Sequence, residues 1–325
     1  MRFILHRLAF YLMAFWVSVT LNFFLPRFMP GDPISRMMSQ SQGRMSPEQV
    51  AQLQSLFGLD DSPLWQQYLG YWQSVLTGDM GVSISRFPTP VSEVILSQIG
   101  WTLLLGGTAV IIAVVVGNIL GILAAWRRGG FIDSTLPPAL VFIGSFPYFF
   151  LAMGALYIFG IQLGWFPLRH AYSAGMTPEW SPEFIADVAY HLVLPVTTIV
   201  LVSIGGWMLA MRNTMITTTS DDYIVMAEAK GLSSSRIMLR YSARNATLPA
   251  VTNVGMAIGF VVGGALLTEV VFAYPGVGYQ LLQSVTSLDY PLMQGIFLTI
   301  TAAVLVANFV VDIVYVRLDP RVRVG

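Results

Sequence analysis

The sequence predicts an all-α polytopic membrane protein with six transmembrane helices. Apolar residues make up 55% of the 325 residues and charged residues only 10%, whereas soluble domains carry about 25% charged residues. Six stretches have the roughly 20 apolar residues that cross a bilayer core as a helix. These stretches are Leu8–Phe28, Trp101–Ala125, Leu136–Phe159, Leu192–Met211, Thr247–Phe272 and Pro291–Val316.

The positions of Lys and Arg predict the orientation of these spans. Cytoplasmic loops of membrane proteins carry an excess of both residues. With the N-terminus inside, Arg127 and Arg128 after the second span and the basic run 230–244 after the fourth are cytoplasmic. Both termini are then cytoplasmic, as an even number of spans requires. The first span is too long for the apolar core of a signal peptide, so it is expected to stay uncleaved. Pro147 and Pro195 fall within spans, where kinks are expected.

Several classes of chemistry are excluded by what the sequence lacks. It has no Cys and a net charge of zero, which excludes thiolate metal sites and disulfides and gives no field that attracts nucleic acid. It also lacks a Gly-rich phosphate loop, a two-His metalloprotease helix and a Ser nucleophile elbow. We therefore predict no catalytic residue, no metal ligand and no cofactor in this chain. If ATP drives the protein, another chain binds it.

The region 29–98, after the cytoplasmic N-terminus and first span (1–28), is predicted to be extracytoplasmic and helical. A helix start at Ser62-Pro63 is followed by apolar residues at helical spacing, among them Tyr68 and Trp72. Aromatic residues of this kind suit a membrane interface. Packing over the ends of the spans is one interpretation. The other is that Tyr68 and Trp72 contribute to the docking surface for a partner.

Polar residues and glycines in the spans give candidates for a solute path and for helix packing. Asn118, Glu269 and Asn308 are the polar side chains predicted to lie nearest a path. The fifth predicted span repeats glycine every four residues at Gly255, Gly259 and Gly263, and the second span does so at 117 and 121. Such stripes let helix backbones approach closely, within this chain or against a second membrane subunit.

The polar segment 213–247, between the fourth and fifth spans, has the pattern of a helix, a glycine turn and a second helix. Residues 220–230 favour a helix, Gly231 can provide the turn, and Ser233 can cap the helix that follows. Arg236, Arg240 and Arg244 recur every four residues and form a cationic stripe. An amphipathic surface helix with snorkelling arginines is the alternative interpretation of that stripe.

The chain resembles the membrane permease subunit of the dipeptide/oligopeptide/nickel group of bacterial ABC importers. The resemblance covers nearly all of the chain and is carried by the order and spacing of short motifs. They are Met29-Pro30-Gly31-Asp32-Pro33, Phe57-Gly58-Leu59-Asp60, Gly78-Asp79-Met80-Gly81, Ala229-Lys230-Gly231-Leu232, Arg244-Asn245-Ala246, Glu269-Val270-Val271-Phe272, Pro275-Gly276-Val277-Gly278 and Asp289-Tyr290-Pro291-Leu292. Two residues depart from the group, because Glu228 replaces a common basic residue and Leu288 a common Arg.

The resemblance implies type I importer architecture, with a core permease domain at 99–325 and an ATPase-coupling "EAA" loop at about 213–247. The residues that it assigns to that loop are Tyr223, Ala227, Glu228, Ala229, Lys230, Gly231, Leu232, Ser233, Arg236 and Arg240. The implied partners are a homologous second permease, two cytoplasmic ATPases that hold ATP and Mg²⁺, and an extracytoplasmic solute-binding protein. The implied location is the bacterial inner membrane.

Peptides are the solute that the resemblance favours. Oligosaccharide, glutathione and nickel chelates are the alternatives within the same architecture. A self-sufficient secondary carrier is the remote alternative, and it would need coupling-ion residues or a filter in its spans.

Overall fold

The computed structural model describes residues 2–30, 62–247, 253–254, 257, 261 and 266–318, which form helices joined by turns. The helices in chain order are α1 (Arg2–Phe28), α2 (Leu64–Thr77), α3 (Val91–Trp126), α4 (Phe131–Gly144), α5 (Tyr148–Ala155), α6 (Pro182–Thr219), α7 (Asp222–Ala229), α8 (Ser234–Arg236), α9 (Leu266–Val271), α10 (Val277–Ser287) and α11 (Tyr290–Leu318). π-Helical turns extend α5 over Leu156–Gln162 and α8 over Ile237–Ala243. The predicted all-α class is confirmed.

Four helices in the described part of the chain are long and apolar enough to cross a membrane. They are Leu5–Phe28, Val91–Trp126, Pro182–Thr219 and Tyr290–Ile313, and they contain most of the first, second, fourth and sixth predicted spans. A fifth span exists if the bent pair Phe131–Gly144 and Tyr148–Gln162 crosses as one unit. The predicted span Thr247–Phe272 lies mostly outside the described residues, as do Gly255, Gly259 and Gly263.

The third predicted span is not one continuous helix. Instead of running through Leu136–Phe159, the chain breaks between α4 and α5, and the two pieces meet at 93°. Pro147 stands at the N-cap of α5. Proline has no N–H to donate to the preceding turn and disfavours helical backbone at the residue before it, so the break falls where a kink was predicted. α6, in contrast, continues through Pro195.

The chain divides into two compact units: Met1–Trp101 with Pro275–Phe309, and Thr102–Tyr274 with Val310–Gly325. In the first unit, α1 and α11 are joined by a pair of amide hydrogen bonds. Asn22 Nδ2 donates to Gln294 O at 2.8 Å, and Gln294 Nε2 donates to Asn22 O at 3.2 Å. Polar side chains thus pair these two apolar helices directly.

A buried carboxylate ties the segment after α2 to the start of α11 in the same unit. Asp289 is fully buried. Its Oδ2 accepts hydrogen bonds from Ser83 Oγ at 2.5 Å, from Ser85 N at 2.9 Å and from Ser85 Oγ at 2.7 Å. Its Oδ1 accepts one from Leu292 N at 3.2 Å, which caps α11. These four residues are called the Asp289 node below.

In the second unit, the glycine stripe of α3 is in contact with α6. A Cβ at Gly117 would lie 2.7 Å from Cβ of Trp207, and one at Gly121 would lie 2.5 Å from the carbonyl oxygen of Met208. The close approach predicted for this stripe therefore occurs within the chain itself.

Candidate functional site

The polar loop after α6 begins with α7. Asp221 takes the N-cap position with an extended backbone (φ −76°, ψ 147°), and its carbonyl accepts a hydrogen bond from Ile224 N at 3.0 Å. Asp222 lies in the first turn, where a carboxylate interacts favourably with the positive end of the helix dipole. The short helix predicted over 220–230 is confirmed, with acidic residues at its start.

Gly231 ends α7 in the left-handed conformation, with φ 71°. Its N–H donates to Glu228 O at 2.8 Å, and Leu232 N–H donates to Ala227 O at 3.3 Å. This pair of hydrogen bonds is a Schellman motif, which satisfies carbonyls that the end of a helix leaves open. A Cβ at position 231 would meet nothing within 4 Å. Glycine is therefore favoured there by the backbone conformation and not by lack of space.

A small hydrophobic cluster, the loop core, holds α7 against the helical segment that follows the turn. Ile224, Ala227 and Ile237 are its buried members, each 3% exposed. The partly buried side chains packed around them are Trp126, Tyr223, Leu232 and Tyr241. Since Leu232 directly follows the glycine, it makes the apolar contact that often accompanies a Schellman motif. The loop is thus a helix-turn-helix unit with a core of its own.

The loop is also attached to the ends of two long helices. Trp126, the last residue of α3, packs on the loop core, and its Nε1 donates to Ser234 Oγ at 3.2 Å. Met215 of α6 is fully buried in a second cluster with Ala243, and its Sδ accepts a hydrogen bond from Ser242 Oγ at 3.3 Å. Packed side chains therefore connect the loop to the ends of α3 and α6.

The solvent-accessible side of the loop carries apolar and charged side chains together. Val225 and Met226 are each 60% exposed, and Leu239 is 56% exposed. The exposed charged residues after the start of α7 are Glu228, Lys230, Arg236, Arg240 and Arg244. We call these eight residues the loop surface. Met and Arg are enriched in protein–protein interfaces, so this composition fits a contact with another subunit.

The predicted coupling residues fall on both sides of the loop. Ala227 is buried, and Tyr223 and Leu232 are half-buried, so these three shape the loop. The others are exposed, and they are Glu228, Ala229, Lys230, Gly231, Ser233, Arg236 and Arg240. Ser233 takes the predicted N-cap position of α8, but its side chain makes no capping hydrogen bond.

Sequence reasoning missed Val225 and Met226 as members of the loop surface. The signal was available, because residues three apart share one face of a helix. Once Ile224 and Ala227 are assigned to the buried face of α7, the two residues between them must point outward. Both are apolar, and the resemblance assigned neither of them to the coupling loop.

The predicted path residues of the second unit do not cluster. Glu269 is fully buried, and its Oε1 accepts a hydrogen bond from Thr102 Oγ1 at 2.7 Å. Thr102 belongs to α3, and Asn118 lies about 24 Å from it along that helix, at 1.5 Å per residue. It is half-buried, and its Oδ1 has no hydrogen-bond partner among the described residues. Asn308, also half-buried, belongs to the first unit. A role in the solute path stays a prediction for all three.

Tyr68 and Trp72, the predicted docking residues, lie on the face of α2 that contacts α1. Tyr68 OH and Thr20 Oγ1 share a hydrogen bond at 2.8 Å, and the Tyr68 ring lies 5.2 Å from the Phe23 ring. The Trp72 ring lies 6.4 Å from that of Phe15. Both side chains are half-buried by these contacts. Docking through them stays a prediction, and packing against α1 is their observed role.

Comparison with known proteins identifies the family. Residues 117–324 match the family described as "Binding-protein-dependent transport system inner membrane component", and residues 1–97 match the family of the N-terminal part of such membrane components. A Brucella suis relative is 36% identical over 324 residues, which cover 100% of this chain and 99% of the relative. The dipeptide transport system permease protein DppB of Escherichia coli K12 is 33% identical over 340 residues, with 99% of each chain covered. The oligopeptide transport system permease protein AppB of Bacillus subtilis is 32% identical over 305 residues, with 93% of each covered. The chain belongs to the family of inner membrane components of binding-protein-dependent transport systems.

Proposed function

We propose that this chain is the permease subunit of an ATP-driven ABC importer for peptides and forms half of its translocation pathway. One observation carries the proposal: the loop 221–247 is a helix-turn-helix unit fixed to α3 and α6, with an exposed apolar and cationic surface. A unit built in this way moves as one body and passes its displacement to both helices. The names of the dipeptide and oligopeptide permease relatives support peptides as the solute.

The proposed complex contains a homologous second permease, two ATPase subunits and an extracytoplasmic solute-binding protein. ATP and Mg²⁺ bind to the ATPases, and this chain supplies neither a catalytic group nor a cofactor site. Six spans with both termini in the cytoplasm put the loop surface on the ATPase side. Closure of the ATPases on ATP then displaces the loop, and the path alternates between the two sides of the membrane.

The loop surface is the part of this proposal that a substitution tests most directly. Met226→Glu adds a charge to an exposed apolar position and leaves the loop core intact. We expect the ATPases to be lost from the purified complex, because a charge without a partner in an interface core is strongly unfavourable. Trp180 is 97% exposed and lies between the third and fourth predicted spans, which is the extracytoplasmic side in the predicted topology, so it gives the matched control. Trp180→Glu should leave ATPase co-purification unchanged, and equal behaviour of the two variants would contradict the proposal.

Transport measurements test the solute class separately. The complex reconstituted in proteoliposomes, with its binding protein and ATP, should accumulate a labelled dipeptide. Oligosaccharide, glutathione and a nickel chelate, each added in excess, should not compete. Uptake of one of these three in place of the dipeptide would keep the importer assignment and reject peptides as the solute.

A further inference from the structure

The helix α2 runs beside the C-terminal half of α1. Besides the contacts of Tyr68 and Trp72, Arg27 donates from an NH2 group to Gln67 Oε1 at 2.5 Å, and Asn22 Nδ2 donates to Tyr71 OH at 2.9 Å. The α1 residues in these contacts extend from Phe15 to Arg27, about 18 Å along the helix. All of them lie within the candidate membrane span Leu5–Phe28. α2 therefore lies beside the candidate span and not beyond the end of α1.

The side chains of α2 divide into three faces, given about 100° of rotation per residue. One face contacts α1 and contains Tyr68, Tyr71, Trp72 and Val75. A second, the apolar stripe, spans about 40° and contains Trp65, Leu69 and Leu76, which are 62%, 57% and 78% exposed. A third, the polar stripe, spans a similar arc and contains the exposed residues Gln66, Gln73 and Thr77.

The composition of α2 matches this division. The helix, LWQQYLGYWQSVLT, contains no charged residue, and four of its fourteen residues are Trp or Tyr. Trp and Tyr are enriched where a protein crosses the boundary between acyl chains and headgroups. Arg27, whose guanidinium also lies over the Phe23 ring at 3.6 Å, supplies the positive charge near the end of α1.

We propose that α2 is a membrane-embedded helix packed along the first span, and that its apolar stripe contacts acyl chains of the leaflet around the C-terminal half of α1. Lipid is the expected contact because the apolar stripe lies beside a membrane span, where exposed apolar side chains contact acyl chains. The neighbouring part of α1 is also apolar and exposed, since Leu21 is 64% exposed and Phe28 is 83% exposed. The polar stripe turns towards water. In this arrangement α2 belongs to the membrane domain.

Single cysteines test the proposal, and the chain has no native Cys to remove. Leu69→Cys and Leu76→Cys probe the apolar stripe, and Gln66→Cys and Gln73→Cys probe the polar stripe of the same helix. Each full-length variant carries a nitroxide label in lipid nanodiscs, with the cysteine-free parent as background. We expect oxygen to collide with the labels at 69 and 76 more often than a water-soluble nickel complex does, and the order to reverse at 66 and 73.

Two results would overturn the proposal. One is preference for the nickel complex at positions 69 and 76. The other is loss of label mobility at these two positions when the solute-binding protein is added, which would make the apolar stripe a protein-docking surface. If a label disturbs folding, lysine substitutions give an independent test. Leu69→Lys should lower the thermal unfolding midpoint in nanodiscs and Gln73→Lys should not, and equal midpoints would also reject lipid contact.

Discussion

The loop after α6 and the Asp289 node each hold a short segment against long helices, but they do so by opposite means. The loop joins α7 to the helical segment after it through an apolar core, and most of the residues involved are neighbours in sequence. The node uses one carboxylate whose partners Ser83 and Ser85 are more than 200 residues away. The loop keeps one side exposed, whereas Asp289 is fully buried. The loop thus depends on local apolar packing, and the node on hydrogen bonds between segments that are distant in sequence.

The largest effect is expected from Asp289→Asn, which removes the carboxylate at the centre of the Asp289 node. Oδ2 accepts three hydrogen bonds and Oδ1 accepts one. Either orientation of an Asn side chain therefore places its NH₂ group against a donor. At least one buried donor then loses its acceptor, which costs about 1–3 kcal/mol, and the bonds that remain lose the strength that a charged acceptor gives them, so we expect destabilisation of roughly 3 kcal/mol. The thermal unfolding midpoint of the purified chain measures it.

Ser85→Ala is the matched control for the Asp289 node. It removes one donor and leaves Asp289 with its bonds from Ser83, the backbone of residue 85 and Leu292. The expected loss is about 1 kcal/mol. If Asp289→Asn were no more destabilising than Ser85→Ala, the carboxylate would not be the centre of the node.

An intermediate effect is expected where the glycine stripe of α3 meets α6. In Gly121→Ala the new Cβ would lie 2.5 Å from a backbone oxygen, that of Met208. Backbone must move to admit it, and overpacking of this kind costs about 1–3 kcal/mol. Gly107→Ala on the same helix meets nothing within 4 Å, so it should be neutral or stabilising by up to about 1 kcal/mol. Equal unfolding midpoints for the two variants would show that α3 and α6 are not in close contact at 121.

The proposed coupling role of the loop after α6 is tested by the conformation of its turn. Gly231→Val places a β-branched residue at φ 71°, which costs about 1–2 kcal/mol or more for a residue with a Cβ. Asn tolerates this conformation, so Gly231→Asn should behave nearly as the parent chain. We expect Gly231→Val to insert normally yet to lose ATPase co-purification and solute-stimulated ATP hydrolysis. Full coupling in Gly231→Val would show that the turn geometry does not matter for the partner.

Features that depend on residues close together in the sequence could be predicted, whereas contacts between distant residues could not. The turn at Gly231 and the helix before it were predictable, because helix propensity and capping act over a few residues. The stripe at Gly117 and Gly121 indicated close packing but not the partner helix. The pairing of Asp289 with Ser83 and Ser85 leaves no local signal, since serine and aspartate occur in any polar loop. The packing of Tyr68 against α1 could not be predicted either, because hydrophobic periodicity defines the apolar face of a helix and not the element that this face contacts.

The smallest effect is expected at Leu288, which has a strained backbone conformation and directly precedes Asp289. It follows α10 at φ 56°, and the chain there makes the hydrogen bonds of a Schellman turn, from Leu288 N to Val285 O at 3.2 Å and from Asp289 N to Ser284 O at 2.8 Å. Glycine is the residue that this turn favours. Because Leu288 is half-buried, Leu288→Gly loses apolar contacts as well as strain, and Leu288→Ala loses nearly the same contacts but keeps the strain. The difference between the two variants isolates the backbone contribution, and we expect the Gly variant to be more stable by about 1 kcal/mol. Thermal unfolding of both variants in the same detergent measures that difference, and an Ala variant as stable as the Gly variant would mean that the turn at 288 relaxes without cost.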